Sequence, residues 1–248
     1  MNTLCVIPAR YASTRLPGKP LADIAGKPMI ARVYEQASKA KRLSAVIAAV
    51  DDERVYEAVT ANGGQAMMTA KDHPTGTDRL AEVAAAHSEA DLIINVQGDE
   101  PLIDPALIDA LIAAFEEDSD LFMATVKSPM TDPEEKQNPN NVKVVTDKNG
   151  YALYFSRSLL PYFREDTGVT VYKHIGIYAY KRDFLLQYAK MAPTPLEQTE
   201  SLEQLRALEN GYKIKVIETQ SKFVGVDTPE DLAAVNKIFN ERLKGPQM

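Results

Sequence analysis

One cysteine, three histidines and no tryptophan occur among the 248 residues. A lone Cys5 excludes an internal disulfide, and its place in the apolar stretch LCVI reads as a small buried core residue, not a reactive thiol. With so few cysteines and histidines there is no zinc-ligand spacing, and no Ser-His-Asp order is present. No apolar run approaches the roughly 18 residues that span a bilayer, and no basic segment leads into a short apolar one at the start of the chain. A soluble, cytoplasmic protein is expected. Positive charge is also in short supply: the net charge of -7 and pI near 5.1 argue against nucleic acid or an anionic membrane as partner. Internal repeats, low-complexity segments and Gly/Ser-rich linkers are missing as well.

What the chain does have is apolar residues, 45% of the total, enough to build one large α/β domain or a domain with a subdomain. Short apolar runs at 3-7, 44-50, 65-69 and 92-96 are bounded by turn signals and read as buried strands. Between them, 28-41, 52-62 and 77-87 read as helices, the first with Ile30, Val33 and Ala37 on one face and Pro28 at its start. This order predicts a doubly wound, mostly parallel sheet whose ligands sit at the carboxyl ends of its strands. The second half differs. Residues 141-157 read as a hairpin through DKNG, with Asn149-Gly150 free to take positive φ, and 174-182 as an aromatic strand. A helix at 196-209, a strand at 213-219 and a last helix from 228, capped by Thr228 with Pro229 in its first turn, complete the expectation.

The negative average conceals a local reversal. Residues 1-42 carry eight Lys/Arg against Asp23 and Glu35, and the stretch PARYASTRLPGKP places Arg10, Arg15 and Lys19 directly after the first strand. Pro8, Pro17, Gly18 and Pro20 rule out regular structure there, so backbone N–H groups and three cations can converge on one small anion. A triphosphate matches that pattern, although a plain solvated basic loop has the same composition. Neither of the common glycine-rich phosphate-loop patterns is present.

The run IPARYASTRLPGKPL resembles the N-terminal signature of the sugar-acid cytidylyltransferases, specifically the branch acting on 3-deoxy-manno-octulosonate. The blocks TGTDRLAEV (75-83), NVQGDEP (95-101), NPNNVKVV (138-145), YALYFSR (151-157), HIGIYAY (174-180), LEQLRAL (202-208) and GVDTPEDL (225-232) extend the resemblance along most of the chain. Residues 160-166, LPYFRED, depart from a family that often carries a tryptophan there. The resemblance implies a Rossmann-like nucleotidyltransferase fold with a smaller antiparallel subdomain for the acceptor and for dimerisation. It implies a single domain over 1-248, with about 1-130 mainly for the nucleotide, about 131-220 mainly for the sugar acid and the dimer, and 221-248 carrying a metal carboxylate and the last helix.

The implied reaction joins CTP to an acidic eight-carbon sugar by attack of its anomeric hydroxyl on the α-phosphorus, releasing pyrophosphate, in lipopolysaccharide biosynthesis. Such an in-line displacement between anions depends on charge neutralisation and alignment. Arg10, Arg15 and Lys19 would then hold the triphosphate, with Pro8 and Ala9 beside it. Mg²⁺ is the expected cofactor, since it binds few carboxylates plus phosphate and water. Asp99 and, by resemblance, Asp227 are the expected metal ligands. A second ion would bridge the triphosphate. Gln97 and Gly98 adjoin the nucleotide, Gly98 by close backbone approach, and Glu100 braces the loop. Thr75, Gly76, Thr77 and Arg79 fall in the block assigned to the cytosine, although Thr75 or Thr77 serves equally as a helix cap; His73 reads as structural. Arg157, His174, Tyr178, Glu203 and Gln204 fall in acceptor blocks, with Arg164 adding charge. Taken singly, Tyr178 suits a core and Glu203 a solvated helix face. Strands near 151-155 and 175-180 suit the homodimer interface of such proteins. Another acidic sugar, 8-amino-Kdo or a nonulosonic acid, and a non-catalytic nucleotide-binding regulator are the competing readings.

Overall fold

The computed structural model describes residues 1-13, 16-221 and 223-244. Two compact units emerge, Met1–Asp109 with Phe223–Met248, and Ala110–Lys222. The first contains β1 (Thr3–Ala9), a 3₁₀ turn (Lys19–Leu21), β2 (Asp23–Ile24), β3 (Lys27–Pro28), α1 (Met29–Ala37), β4 (Ala45–Val50), α2 (Glu53–Ala61), β5 (Ala66–Met68), α3 (Gly76–Ala86) and β6 (Leu92–Asn95). The unit boundary falls within α4 (Pro105–Glu117). The second unit holds β7 (Met123–Met130), α5 (Pro133–Gln137), β8 (Lys143–Thr146), β9 (Ala152–Ser156), β10 (Val171–Lys181), α6 (Arg182–Tyr188), α7 (Pro195–Glu200), α8 (Leu205–Glu209) and β11 (Ile214–Glu218). The chain then returns to the first unit as α9 (Pro229–Lys244).

In the first unit β1 pairs in parallel with both β4 and β6, and β4 with β5. Continuous apolar runs make this possible, because Cys5, Val6, Ile7, Ala48, Ala49, Val50, Ile93 and Ile94 are fully buried on strands covered on both faces. The predicted apolar stripe of α1 holds: Ile30, Val33 and Ala37 are all buried. The helix stops at Ala37, short of the expected 41, where the bonds tighten to three-residue turns: Lys39 N–H donates to the Gln36 carbonyl and Ala40 N–H to that of Ala37, both at 3.1 Å. Helix α9 is fastened to the β2–β3 hairpin by Asn236, which accepts from Ala25 N–H and donates to the Asp23 carbonyl.

In the second unit β10 runs antiparallel to β7 and β8, β8 and β9 form the expected hairpin, and β11 lies parallel to β7. Gly150 takes φ +78, but Asn149 does not enter the left-handed region. The Asp147 carboxylate instead accepts the Asn149 and Tyr151 N–H groups, so one positive φ suffices. The helix expected over 196-209 is two helices. Ser201, at φ +51, ends α7, and α8 begins only at Leu205. A buried bidentate pair, Arg206 Nε to Glu197 Oε2 at 2.8 Å and Nη2 to Oε1 at 2.5 Å, ties one helix to the other across that break. The sequence reading left α4 and β7 unassigned.

Candidate active site

A cleft of about 350 Å³ opens where β1 and β6 end, within the first unit. Its lining includes Pro8, Ala9, Arg10, Lys19, Gln97, Gly98, Asp99 and Asp227. The position follows from the parallel sheet, whose strands deliver their following loops to one edge. Gly98 is required there: a Cβ on it would lie 2.7 Å from the Pro8 carbonyl oxygen, and a backbone oxygen has nowhere to retreat. Close approach was expected of this glycine, but its partner within the chain is β1. Next along, the Asp99 carbonyl accepts the Val226 N–H at 2.9 Å and so draws the C-terminal segment to the cleft. Gly225 packs against Glu100, whose Oε1 would stand 3.1 Å from an added Cβ.

Asp227 is placed by the cap of α9. Asp231 accepts the N–H groups of Asp227 and Thr228 at 3.0 and 2.9 Å, and Thr228 Oγ1 accepts the Asp231 N–H, a reciprocal box that leaves the Asp227 carboxylate to face the cleft. Lys19 follows the left-handed turn at Gly18 and extends its ammonium between two acids, 2.6 Å from Asp99 Oδ2 and 2.8 Å from Asp227 Oδ1. Burial opposes the lysine charge, but the Asp99 and Asp227 carboxylates outweigh it and raise the pKa. Residues separated by 80 and 208 positions thus converge on one cation. The two carboxylate oxygens can be no farther apart than those two contacts laid end to end, and hard oxygen donors so placed suit Mg²⁺. Among the described residues no group of three or more His, Cys, Asp and Glu could hold a metal, so water and phosphate would complete the shell of such an ion. Arg15 lies outside the described residues.

The block at 75-79 is not part of this lining. Thr75 caps α3, its hydroxyl donating to Asp78 Oδ2 at 2.7 Å while accepting the Asp78 N–H, so the plainer of its two readings describes its side chain. Gly76 and Thr77 open the helix. Arg79 is fully buried, bonded to Thr69 Oγ1 and, at 3.2 Å, to Asp51 Oδ2. Burial lowers its pKa, with Asp51 opposing the shift. His73 pairs with Glu82 at 2.5 Å.

In the second unit His174 is buried, 2.9 Å from Thr125 Oγ1, with its ring 5.5 Å from that of Tyr178. Burial lowers its pKa to about 3, so it is neutral near pH 7. The Thr125 hydroxyl also lies 3.2 and 2.8 Å from the Ile175 and Ile177 carbonyls, and the neutral ring keeps one donor and one acceptor nitrogen. Burial, and next the Glu203 charge, push the Tyr178 hydroxyl up, which puts those two side chains within electrostatic reach. Gln204 is buried and its Nε2 has no hydrogen-bond partner among the described residues. The Arg157 guanidinium donates to the carbonyls of Glu200, Pro139 and Ser201, which ties it to the end of α7 and leaves two of its five N–H groups. Arg164 stands on the 161-169 loop, at a separate cleft with Tyr162 and Phe163.

The sequence reading passed over Asp51, which holds Arg79 and the Tyr11 N–H, and the lining residues Ala12, Ser13 and Met29, and it read Pro20 only as a residue that rules out regular structure. Their involvement arises from strand register and loop closure, which carry no local motif.

Residues 4-214 match the cytidylyltransferase family. The chain belongs to that family. Among cytidylyltransferases it is 56% identical over 241 residues to the 3-deoxy-manno-octulosonate cytidylyltransferase of Fusobacterium nucleatum subsp. nucleatum, covering 97% of this chain and 98% of that one. A protein of the same name from Geobacter metallireducens is 57% identical over 246 residues, covering 95% and 96%. Among solved structures, CMP:2-keto-3-deoxy-manno-octonic acid synthetase complexed with CTP superposes with a TM-score of 0.94 at 46% identity, over 98% of this chain and all of that one. As in that family, a mixed, mostly parallel sheet with flanking helices is the fold of this cytidylyltransferase. No helix among the described residues is long and apolar enough to cross a membrane.

Proposed function

We propose that this cytidylyltransferase transfers CMP from CTP to the anomeric hydroxyl of 3-deoxy-manno-octulosonate, releasing pyrophosphate. The observation that carries the reading is the meeting of Lys19, Asp99 and Asp227 beside Arg10 in one cleft, in a chain more than half identical to proteins named for that reaction. Arg10 and Lys19 bind the triphosphate and neutralise the departing pyrophosphate, and Arg15 joins them on sequence grounds. Pro8, Ala9, Gln97 and Gly98 shape the wall against which the nucleotide rests. Asp99 and Asp227 would hold Mg²⁺, which when bound supplies positive charge at the phosphate oxygens and acidifies a bound hydroxyl. Lys19 reaches both of these acids, and the phosphates of CTP would compete with them for its ammonium. For the acceptor, Glu203 and Gln204 offer oxygen and amide groups to sugar hydroxyls. Neutral His174 presents an acceptor nitrogen, and Tyr178 stays protonated as a donor. Two copies of the chain assemble through the apolar strands of the second unit.

Pyrophosphate release across a panel of nucleoside triphosphates and sugar acids tests the assignment. CTP with 3-deoxy-manno-octulosonate should be the productive pair. Turnover with nonulosonic acids alone would replace the acceptor, and CTP binding with no acceptor turned over would favour a regulator. In Asp227→Asn, kcat should drop about a hundredfold, the order expected for one charge-stabilising contact, while CTP affinity changes little. Retained turnover would remove Asp227 from the metal site.

A further inference from the structure

The basic loop has two arms, one ending in Arg10 and the other beginning at Lys19, and a single aromatic ring lies between them. The Tyr11 backbone N–H donates to Asp51 Oδ1 at 2.9 Å. In the parallel β1–β4 pair Ala9 is opposite Val50, so the Asp51 side chain prolongs the ladder one step past its last backbone bond. The other oxygen of Asp51 is held by buried Arg79, which fixes the carboxylate from behind. One face of the Tyr11 ring lies under the Arg54 guanidinium, 3.6 Å from the centroid. Arg54 is itself held in a fork by Asp52, Nε to Oδ1 at 2.8 Å and Nη2 to Oδ2 at 2.7 Å. Across the loop the ring meets Gly18: a Cβ there would lie 3.3 Å from Tyr11 Oη and 3.4 Å from Cε2. Gly18 has φ +66 and directly precedes Lys19, whose N–H is bonded to the Leu16 carbonyl at 3.0 Å.

We propose that Tyr11 is a positioning residue for the nucleotide: its ring is the spacer that sets the distance between the Arg10 and Lys19 arms, and the Asp51 and Arg54 contacts hold the spacer still. Tyr11 is not among the residues that line the cleft, so it acts through its two neighbours in the loop. The inference rests on the reading of that cleft as a triphosphate site. A small residue at position 11 keeps the N–H bond to Asp51 but lets Gly18 collapse toward the start of the loop, which misplaces Lys19 relative to Arg10. The phenolic oxygen is the atom nearest Gly18, but ring carbons Cε2 and Cζ stand almost as close, at 3.4 and 3.5 Å from the same Cβ position, so the ring without its hydroxyl still fills the gap.

The test compares Tyr11→Ala, Tyr11→Phe and Arg54→Gln with the unmodified protein by calorimetric titration with CTP and by steady-state kinetics in both substrates. Tyr11→Ala should raise the Kd and KM for CTP at least tenfold, leave kcat within threefold and leave the acceptor KM unchanged. Tyr11→Phe should restore CTP affinity to within twofold. Arg54 is more than half exposed, so Arg54→Gln leaves the fold intact and should give a smaller rise in the CTP KM. Thermal melting of each variant identifies loss of folding, and in that event Arg54→Gln decides: an unchanged CTP KM overturns the proposal. Equal CTP affinity in Tyr11→Ala and the parent overturns it, as does an equal loss in kcat and acceptor KM, or Tyr11→Phe behaving as Tyr11→Ala. Unmodified protein that binds no CTP overturns the nucleotide reading as well as the spacer; unmodified protein that binds CTP with an unaffected Tyr11→Ala overturns the spacer alone.

Discussion

Individual side chains here carry charges whose cost is set by their surroundings. His174 is the clearest case, since burial brings its pKa from 6.5 to about 3 without a charged partner to oppose the shift. The folded protein favours the neutral ring, so the contribution of this group to stability is complete above pH 6.5 and is lost as the pH falls from 6.5 toward 3. Between pH 6.5 and 5 the loss amounts to about 2 kcal/mol, at 1.36 kcal/mol per unit. Urea unfolding at pH 7 and pH 5 should show a smaller acid loss in His174→Gln than in the parent; parallel losses would place the imidazole in contact with water. Legibility at this scale depends on whether a residue's role resides in its neighbours along the chain. Lys19, Asp99 and Asp227 belong to short recognisable blocks and could be read directly. Asp51 could not, because its task arises from the Ala9–Val50 register and from Arg79 on a helix 28 residues away.

At the scale of strands and loops, Gly98 joins the β6 loop to the end of β1. Gly98→Ala should destabilise by about 1–3 kcal/mol, the usual cost of overpacking, and should weaken CTP binding because the loop that carries Asp99 must shift. Gly76→Ala is the matched comparison, since a Cβ there meets nothing within 4 Å. Denaturant unfolding of the two variants measures the difference, and equal stability would show that the β6 loop yields freely. Elements with a plain pattern were legible: the apolar runs of β1, β4 and β6 and the stripe of α1. Others were not. Helix α4, PALIDALIAAFEE, is apolar around most of its circumference, and β7 contains Pro129, so neither offers a clean alternation. The break between α7 and α8 follows from the Glu197–Arg206 pair and the left-handed Ser201, neither of which a helical pattern discloses. The aromatic alternation of β10 was visible, but its register shift between Ile175 and Tyr178 was not.

For the molecule as a whole, the sequence announces a parallel α/β half and a more antiparallel half, and both are present. Composition also locates the cationic start within an acidic chain, and Arg10 and Lys19 line a cleft at the carboxyl end of β1, a strand that carries no charged residue itself. The same central strand that delivers these residues has Cys5 at its middle, fully buried, with burial pushing its thiol up. An aromatic disulfide reagent should therefore label the native protein only through openings of the first unit, so that the labelling rate gauges how often that unit comes apart. Saturating CTP should slow the reaction in proportion to its binding, as a ligand that selects the closed form must. Labelling at the rate of a small free thiol would mean that β1 lies open to solvent. A lone sulfhydryl with no catalytic assignment thus gives the protein a built-in reporter, readable by absorbance, of whether the nucleotide has arrived.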